Sequence, residues 1–234
     1  MAAAFMSQFV ANGCVFSVFG VFMVPIAMEF DTSRGVVSTG MGAGMLIMGL
    51  AGPLLGRVVD SGPVRSMMLV GLAMMSSGLV LLSRVESLWQ AALVFCVAIS
   101  LGSALFGPLP STALVSNWFV RRRGLALGLT VSGATVAGLV APPLAAWLID
   151  GVGWRGAVVA MGIGGAVLAA PLIIAFVVRR PEDIGSFPDG DRPTEANLPP
   201  PLDPPDTGAL LRDPKLWIIA VGFALVFTSP IVMT

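Results

Sequence analysis

Histidine is absent from the 234 residues. That removes His-based catalytic triads, HExxH zinc sites and histidine proton relays from what this chain can do by itself. Charge is scarce as well. Only 11% of the residues are Asp, Glu, Lys or Arg, against roughly a quarter in soluble domains, which points to lipid as the solvent. The 13 basic residues cancel the 13 acidic ones, so bulk electrostatics gives no reason to expect nucleic acid as a partner. Cysteine occurs twice, at Cys14 and Cys96. Both lie inside apolar runs without ligand-like spacing and read as small core residues rather than a disulfide or a metal site. No cofactor and no metal are expected. Without a GxSxG serine or an acid within an apolar run, an enzyme has little chemistry to work with.

What is present is apolar sequence, 56% of the chain, gathered into long runs. A helix needs about 20 apolar residues to cross a hydrocarbon core of roughly 30 Å. Runs of that order are found at 5–28, 36–59, 66–83, 88–115, 125–149 and 154–178, and residues 215–234 open a further one. Lipid satisfies no exposed backbone groups, so such runs are helices, and the fold class is all-α and polytopic. The first run is longer than the core of a signal peptide and lacks a basic leader. Residues 181–214, with the stretch Leu198-Pro-Pro-Pro-Leu-Asp-Pro-Pro-Asp206, read as a Pro-rich, acidic linker. The chain ends at Thr234 within apolar sequence, so a seventh helix is expected to be cut within its length.

Loop charges assign the two membrane faces. Arg57, Arg65, Arg121, Arg122, Arg123, Arg179 and Arg180 fall on alternate connections. The other connections balance Arg34, Arg84 and Arg155 against Glu29, Asp31, Glu86 and Asp150. The positive-inside rule then makes the arginine-rich connections cytoplasmic and puts the N-terminus inside a plasma or inner membrane. Trp89, Trp118, Trp147, Trp154 and Trp217 all fall near predicted span ends, where headgroups favour indole rings.

Two stretches carry a family likeness. Gly52-Pro-Leu-Leu-Gly56-Arg57-Val-Val-Asp60-Ser-Gly62-Pro-Val-Arg65 resembles the loop signature between helices 2 and 3 of the major facilitator superfamily. Arg57 and Asp60 are either parts of a cytoplasmic latch or ordinary interfacial charges. Asn117-Trp-Phe-Val-Arg121-Arg122-Arg123-Gly124-Leu-Ala-Leu-Gly128-Leu-Thr-Val-Ser132-Gly133 is similar to the start of helix 5 in the monocarboxylate and oxalate/formate branch. Pro142-Pro143 through Asp150, Gly153-Trp154-Arg155-Gly156 and Arg180-Pro-Glu-Asp183-Ile-Gly185 extend the likeness in order. The resemblance implies a six-helix N-terminal bundle of a two-bundle secondary transporter. It also implies alternating access, small organic anions such as monocarboxylates as substrates, a coupled proton or exchange, and the C-terminal half of the same protein as a partner.

No charged residue lies deep in a run, and the place of a lysine that some members carry midway along helix 1 is taken by Ser17. Candidates for lining a pathway are therefore polar and uncharged: Gln8, Asn12, Ser17, Ser100, Ser103, Ser132 and Thr135, with Phe106 beside the bend expected at Pro108 and Pro110. Each hydroxyl serves either a ligand or its own helix backbone. Gln8 and Asn12, costly to leave unpaired, are expected to meet a partner helix or a ligand. The glycine pairs Gly40/Gly44, Gly52/Gly56 and Gly124/Gly128, at four-residue spacing, are expected to bring helices together. Alternatives are a seven-helix receptor, a channel and a transporter of a neutral solute.

Overall fold

Apolar runs in lipid must close their hydrogen bonds along their own axis, and the computed structural model is helical throughout the runs it describes. Residues 1–61, 63–178, 185, 187 and 214 are described. The expected linker is therefore covered only at 185, 187 and 214, and the expected seventh helix lies outside the described residues.

We number the helices in chain order. Helix α1 spans Ala2–Glu29, α2 Arg34–Ser61, α3 Val64–Leu82 and α4 Leu88–Trp118. A last helical run, Arg123–Phe176, contains 54 residues. At about 1.5 Å per residue it would reach about 80 Å, more than twice a hydrocarbon core of roughly 30 Å. The run breaks at Gly153, whose φ of 72° and ψ of 167° lie in a region essentially reserved for glycine. The break yields α5, residues 123–152, and α6, residues 154–176. By length and composition, all these runs suit a membrane-spanning role.

Two helices are not α-helical throughout. Helix α1 widens into a π-turn at Asn12–Phe16, where the Ser17 amide donates to the Asn12 carbonyl at 2.9 Å. Helix α4 does so at Val94–Ser100. Helix α4 then turns at Gly107 before restarting on Pro108. Proline lacks an N–H, so Pro108 and Pro110 leave the Ala104 and Phe106 carbonyls without their usual helical donors.

The core joins α1, α3, α4 and α6 through Val10, Met68, Met75, Ile99, Phe106 and Ile173, all buried. Glycine sets the distance between α3 and α4. A Cβ on Gly102 would stand 2.5 Å from the Met75 amide nitrogen, and one on Gly71 would stand 2.7 Å from the Phe106 nitrogen. The backbones touch there because neither residue has a side chain. Helix α2 differs from the rest: only 11% of its most apolar window is buried, and Met45, Leu46, Leu50 and Leu54 face outward.

Candidate pathway face, cavities and clamp

Small residues draw α1 against α5. A Cβ on Gly133 would meet the Phe5 carbonyl at 2.5 Å and the Gln8 side chain at 3.3 Å. One on Gly13 would reach Ala137 and Ala141 at ordinary contact distance. Further along, Ser17 Oγ lies 3.9 Å from where a Gly138 Cβ would be. The seam therefore brings Gln8 next to Gly133 and Ser17 next to Gly138, one turn beyond the exposed Thr135.

Within the seam, Gln8 is buried and Asn12 partly so. Asn12 Nδ2 donates to the Gln8 carbonyl at 3.0 Å and to Gln8 Oε1 at 3.3 Å. The amides thus bond along α1, and Gln8 also packs against α5 at Gly133. Ser132 turns its hydroxyl back onto the Leu129 carbonyl at 2.8 Å. On α4 the candidates point inward: Ser100 and Ser103 are buried and Phe106 is fully enclosed. Ser100 Oγ would lie 2.5 Å from a Cβ on Gly44, so it faces α2. Among the described residues, Ser103 Oγ has no hydrogen-bond partner. Ser17, Ser132 and Thr135 reach the surface; Ser100, Ser103 and Phe106 belong to the packing.

The glycine pairs need correction. Cβ atoms on Gly40, Gly52, Gly56, Gly124 and Gly128 would meet nothing within 4 Å among the described residues, and of these three pairs only Gly44 makes a close approach. Four-residue spacing places residues on one face without saying that a neighbour stands opposite. Helices in fact touch at Gly71, Gly78, Gly102, Gly107, Gly133, Gly162 and Gly165.

At the end expected to be cytoplasmic, Gly56 lines a cavity of about 600 Å³ with Thr112, Ser116, Asn117 and Arg123. Arg123 Nε donates to Ser116 Oγ at 3.1 Å, fastening the start of α5 to the end of α4. Arg65, Arg121 and Arg122 are exposed, as is Arg57 at the foot of α2. The Asp60 side chain and Gly62 lie outside the described residues. Trp118 Nε1 donates to the Val178 carbonyl at 2.9 Å, tying α4 to the end of α6.

The opposite end holds an arrangement that spacing along the chain does not reveal. Arg155, which follows the Gly153 break, bridges Glu29 at 2.6 Å and donates through Nε to the same carboxylate at 3.0 Å. It also donates to the Val85 carbonyl at 2.7 Å and to the Ser83 carbonyl. Trp154 Nε1 donates to the other Glu29 oxygen, and the guanidinium sits 4.9 Å from the Trp154 ring centroid. One side chain thus joins the ends of α1, α3 and α6. The balanced charges on these connections were a signal for such pairing, although the partners were not identifiable from spacing.

Between the halves of α1, α2 and α4 nearest this clamp lies a cavity of about 480 Å³ with an almost wholly apolar lining, including Phe19, Phe22, Phe95 and Ile99.

Comparison with known proteins adds the relationship. The profile of the Major Facilitator Superfamily matches residues 5–234. An "MFS-type transporter" of Gibberella moniliformis is 32% identical over 158 residues, 66% of this chain and 38% of the relative. Monocarboxylate transporter 14 of Mus musculus is 29% identical over 176 residues, 74% of this chain and 34% of the relative. Riboflavin transporter RibJ of Trypanosoma brucei brucei is 29% identical over 176 residues, 73% of this chain and 32% of the relative. The chain spans about a third of the length of these relatives.

Proposed function

This chain belongs to the Major Facilitator Superfamily as a multi-pass membrane protein of a transporter family, and on that premise we propose that it supplies one half of an alternating-access carrier for small organic anions. The observation that carries the reading is the α1/α5 seam. There Ser17 and Thr135 are partly and fully exposed, beside the Gln8 and Asn12 amides, while the Ser132 hydroxyl is taken up by its own backbone. A polar side chain at the surface of a membrane span is costly in hydrocarbon and favourable on a hydrated path.

The relatives named as monocarboxylate transporters support an organic anion as the solute. Such an anion needs a cationic partner near the midplane, and the six spans read in the sequence hold no charge at that depth. We therefore assign the counter-charge, and the titratable group of any proton coupling, to a second bundle that completes the site between two halves. The arginine-rich connections support an N-terminus on the cytoplasmic side of a plasma or inner membrane.

The test is uptake. Cells expressing the gene should take up labelled lactate or a similar monocarboxylate in a saturable manner above cells that lack it. Equal uptake in both, across a panel of monocarboxylates, overturns the substrate assignment.

A further inference from the structure

Helix α2 packs against α4 at Gly44 and touches it again at Gly40, where the Cys96 thiol lies 3.9 Å from the Gly40 carbonyl, and a cleft opens beside these contacts. At Gly44 an added Cβ would lie 2.5 Å from Ser100 Oγ and 2.8 Å from the Phe95 ring, so the helices touch. One turn away at Gly40, a Cβ would meet nothing within 4 Å among the described residues, so this side of the helix faces the cleft. The wedge between them is the 480 Å³ cavity, closed at the back by α3 and α6 through Leu79, Leu82, Val158 and Met161.

The space is a cleft open at its mouth, and apolar clefts of this kind are the usual form of small-molecule sites. Water is a poor occupant, since each buried molecule wants two to four polar partners. The polar side chains at hand are largely engaged: Thr39 donates to the Val36 carbonyl at 2.6 Å, and the Cys14 thiol lies 3.6 Å from the Met161 carbonyl. What the cavity offers is rings. Phe19 and Phe95 stand 6.0 Å apart, tilted by 56°, so a third ring would find both an edge and a face. Each π-turn contributes lining residues, Cys14 and Val15 from α1 and Phe95 and Ile99 from α4. Such turns often mark functional sites. The mouth lies at Val36, Thr39 and Trp89, all exposed, at the end of the bundle where Arg34 is also exposed.

We propose that this wedge binds the aromatic body of an amphipathic organic solute, leaving its polar end at the mouth. The inference rests on the transport reading and narrows it to anions bearing a ring, because a lactate-sized molecule would leave most of the wedge unfilled. The cavity's volume falls within the roughly 300–1,000 Å³ usual for small-molecule sites.

The experiment measures equilibrium binding of 1-naphthoate and of propionate to the chain in nanodiscs, with empty nanodiscs as the blank. It includes Gly40→Phe and Ala43→Leu, which place apolar bulk in the wedge. The expected result is saturable naphthoate binding, with propionate weaker and the filled variants weakened by about 10-fold or more. Melting temperatures should be unchanged or raised, since filling a void with apolar atoms does not unfold a bundle. If one variant melts early, the other carries the comparison. Naphthoate binding that is absent, equalled by propionate, or intact in a stable filled variant overturns the proposal. A co-purified lipid that holds the wedge and resists displacement by naphthoate overturns it as well. Uptake by expressing cells of monocarboxylates with and without a ring reports separately on the transport reading and does not depend on the wedge being a site.

Discussion

Arg155 and Glu29 stand 126 positions apart in the chain and meet at 2.6 Å, with the guanidinium also holding the carbonyls of Ser83 and Val85. Each partner keeps over a third of its side chain exposed, so the ion pair alone is worth little in water. The backbone bonds change the balance, because removing the arginine frees the α3 end and leaves Glu29 held, among the described residues, by Trp154 alone.

Arg155→Ala is expected to cost roughly 1–2 kcal/mol, the scale of charge-assisted hydrogen bonds discounted for exposure. Lysine should recover less than half of this, since a point charge cannot span a carboxylate and two carbonyls. Thermal unfolding in detergent checks it. At 1 M salt the gap between wild type and Arg155→Ala should shrink but persist, because salt screens the ion pair more than the backbone bonds.

Gly153→Ala tests the break between α5 and α6. With φ at 72° and ψ at 167°, a Cβ is strained whatever the free space, at a cost of about 1–3 kcal/mol. A lower melting temperature is expected; an unchanged one would mean that the break is made elsewhere.

Gly102 and Gly56 should respond in opposite ways. Gly102→Leu drives a side chain into the α3 backbone, and the folded yield in membranes should collapse. Gly56→Ala has open space and removes a flexible residue from a helix, so its melting temperature should hold or rise slightly.

Ser103 is enclosed and, among the described residues, unpartnered. Ser103→Ala removes a buried hydroxyl that nothing satisfies, so stability should rise by up to about 1–2 kcal/mol. A fall in melting temperature would show that the hydroxyl has a partner.

The fold class was legible because lipid leaves an apolar run of this length one regular way to satisfy its backbone. The apolar runs from Phe5 onward therefore announced helices without help from fine sequence detail. Which faces meet was less legible. Gly40 and Gly44 have the same chemistry four residues apart, yet Gly44 touches α4 and Gly40 opens onto the wedge. Helical spacing orders residues around one axis and carries no information on where the next axis lies. The Gln8 and Asn12 amides need partners, as their chemistry implies; they bond across one turn, and Gln8 also lies against Gly133 of α5. The clamp was hidden for a different reason. Glu29 and Arg155 sit on separate connections, and only the folded bundle brings those connections to one corner.

On this reading the α1/α5 seam faces a hydrated path while the outer surfaces of α3 and α6 face lipid. The most direct measurement places single cysteines in a Cys14→Ala/Cys96→Ala background and labels membranes of expressing cells with a charged, water-soluble thiol reagent. Labelling is expected of Ser17→Cys and Thr135→Cys, and none of Val70→Cys and Val167→Cys, although Val70 and Val167 are exposed on the outer helices. Equal labelling of all four, or labelling confined to the outer pair, would contradict it.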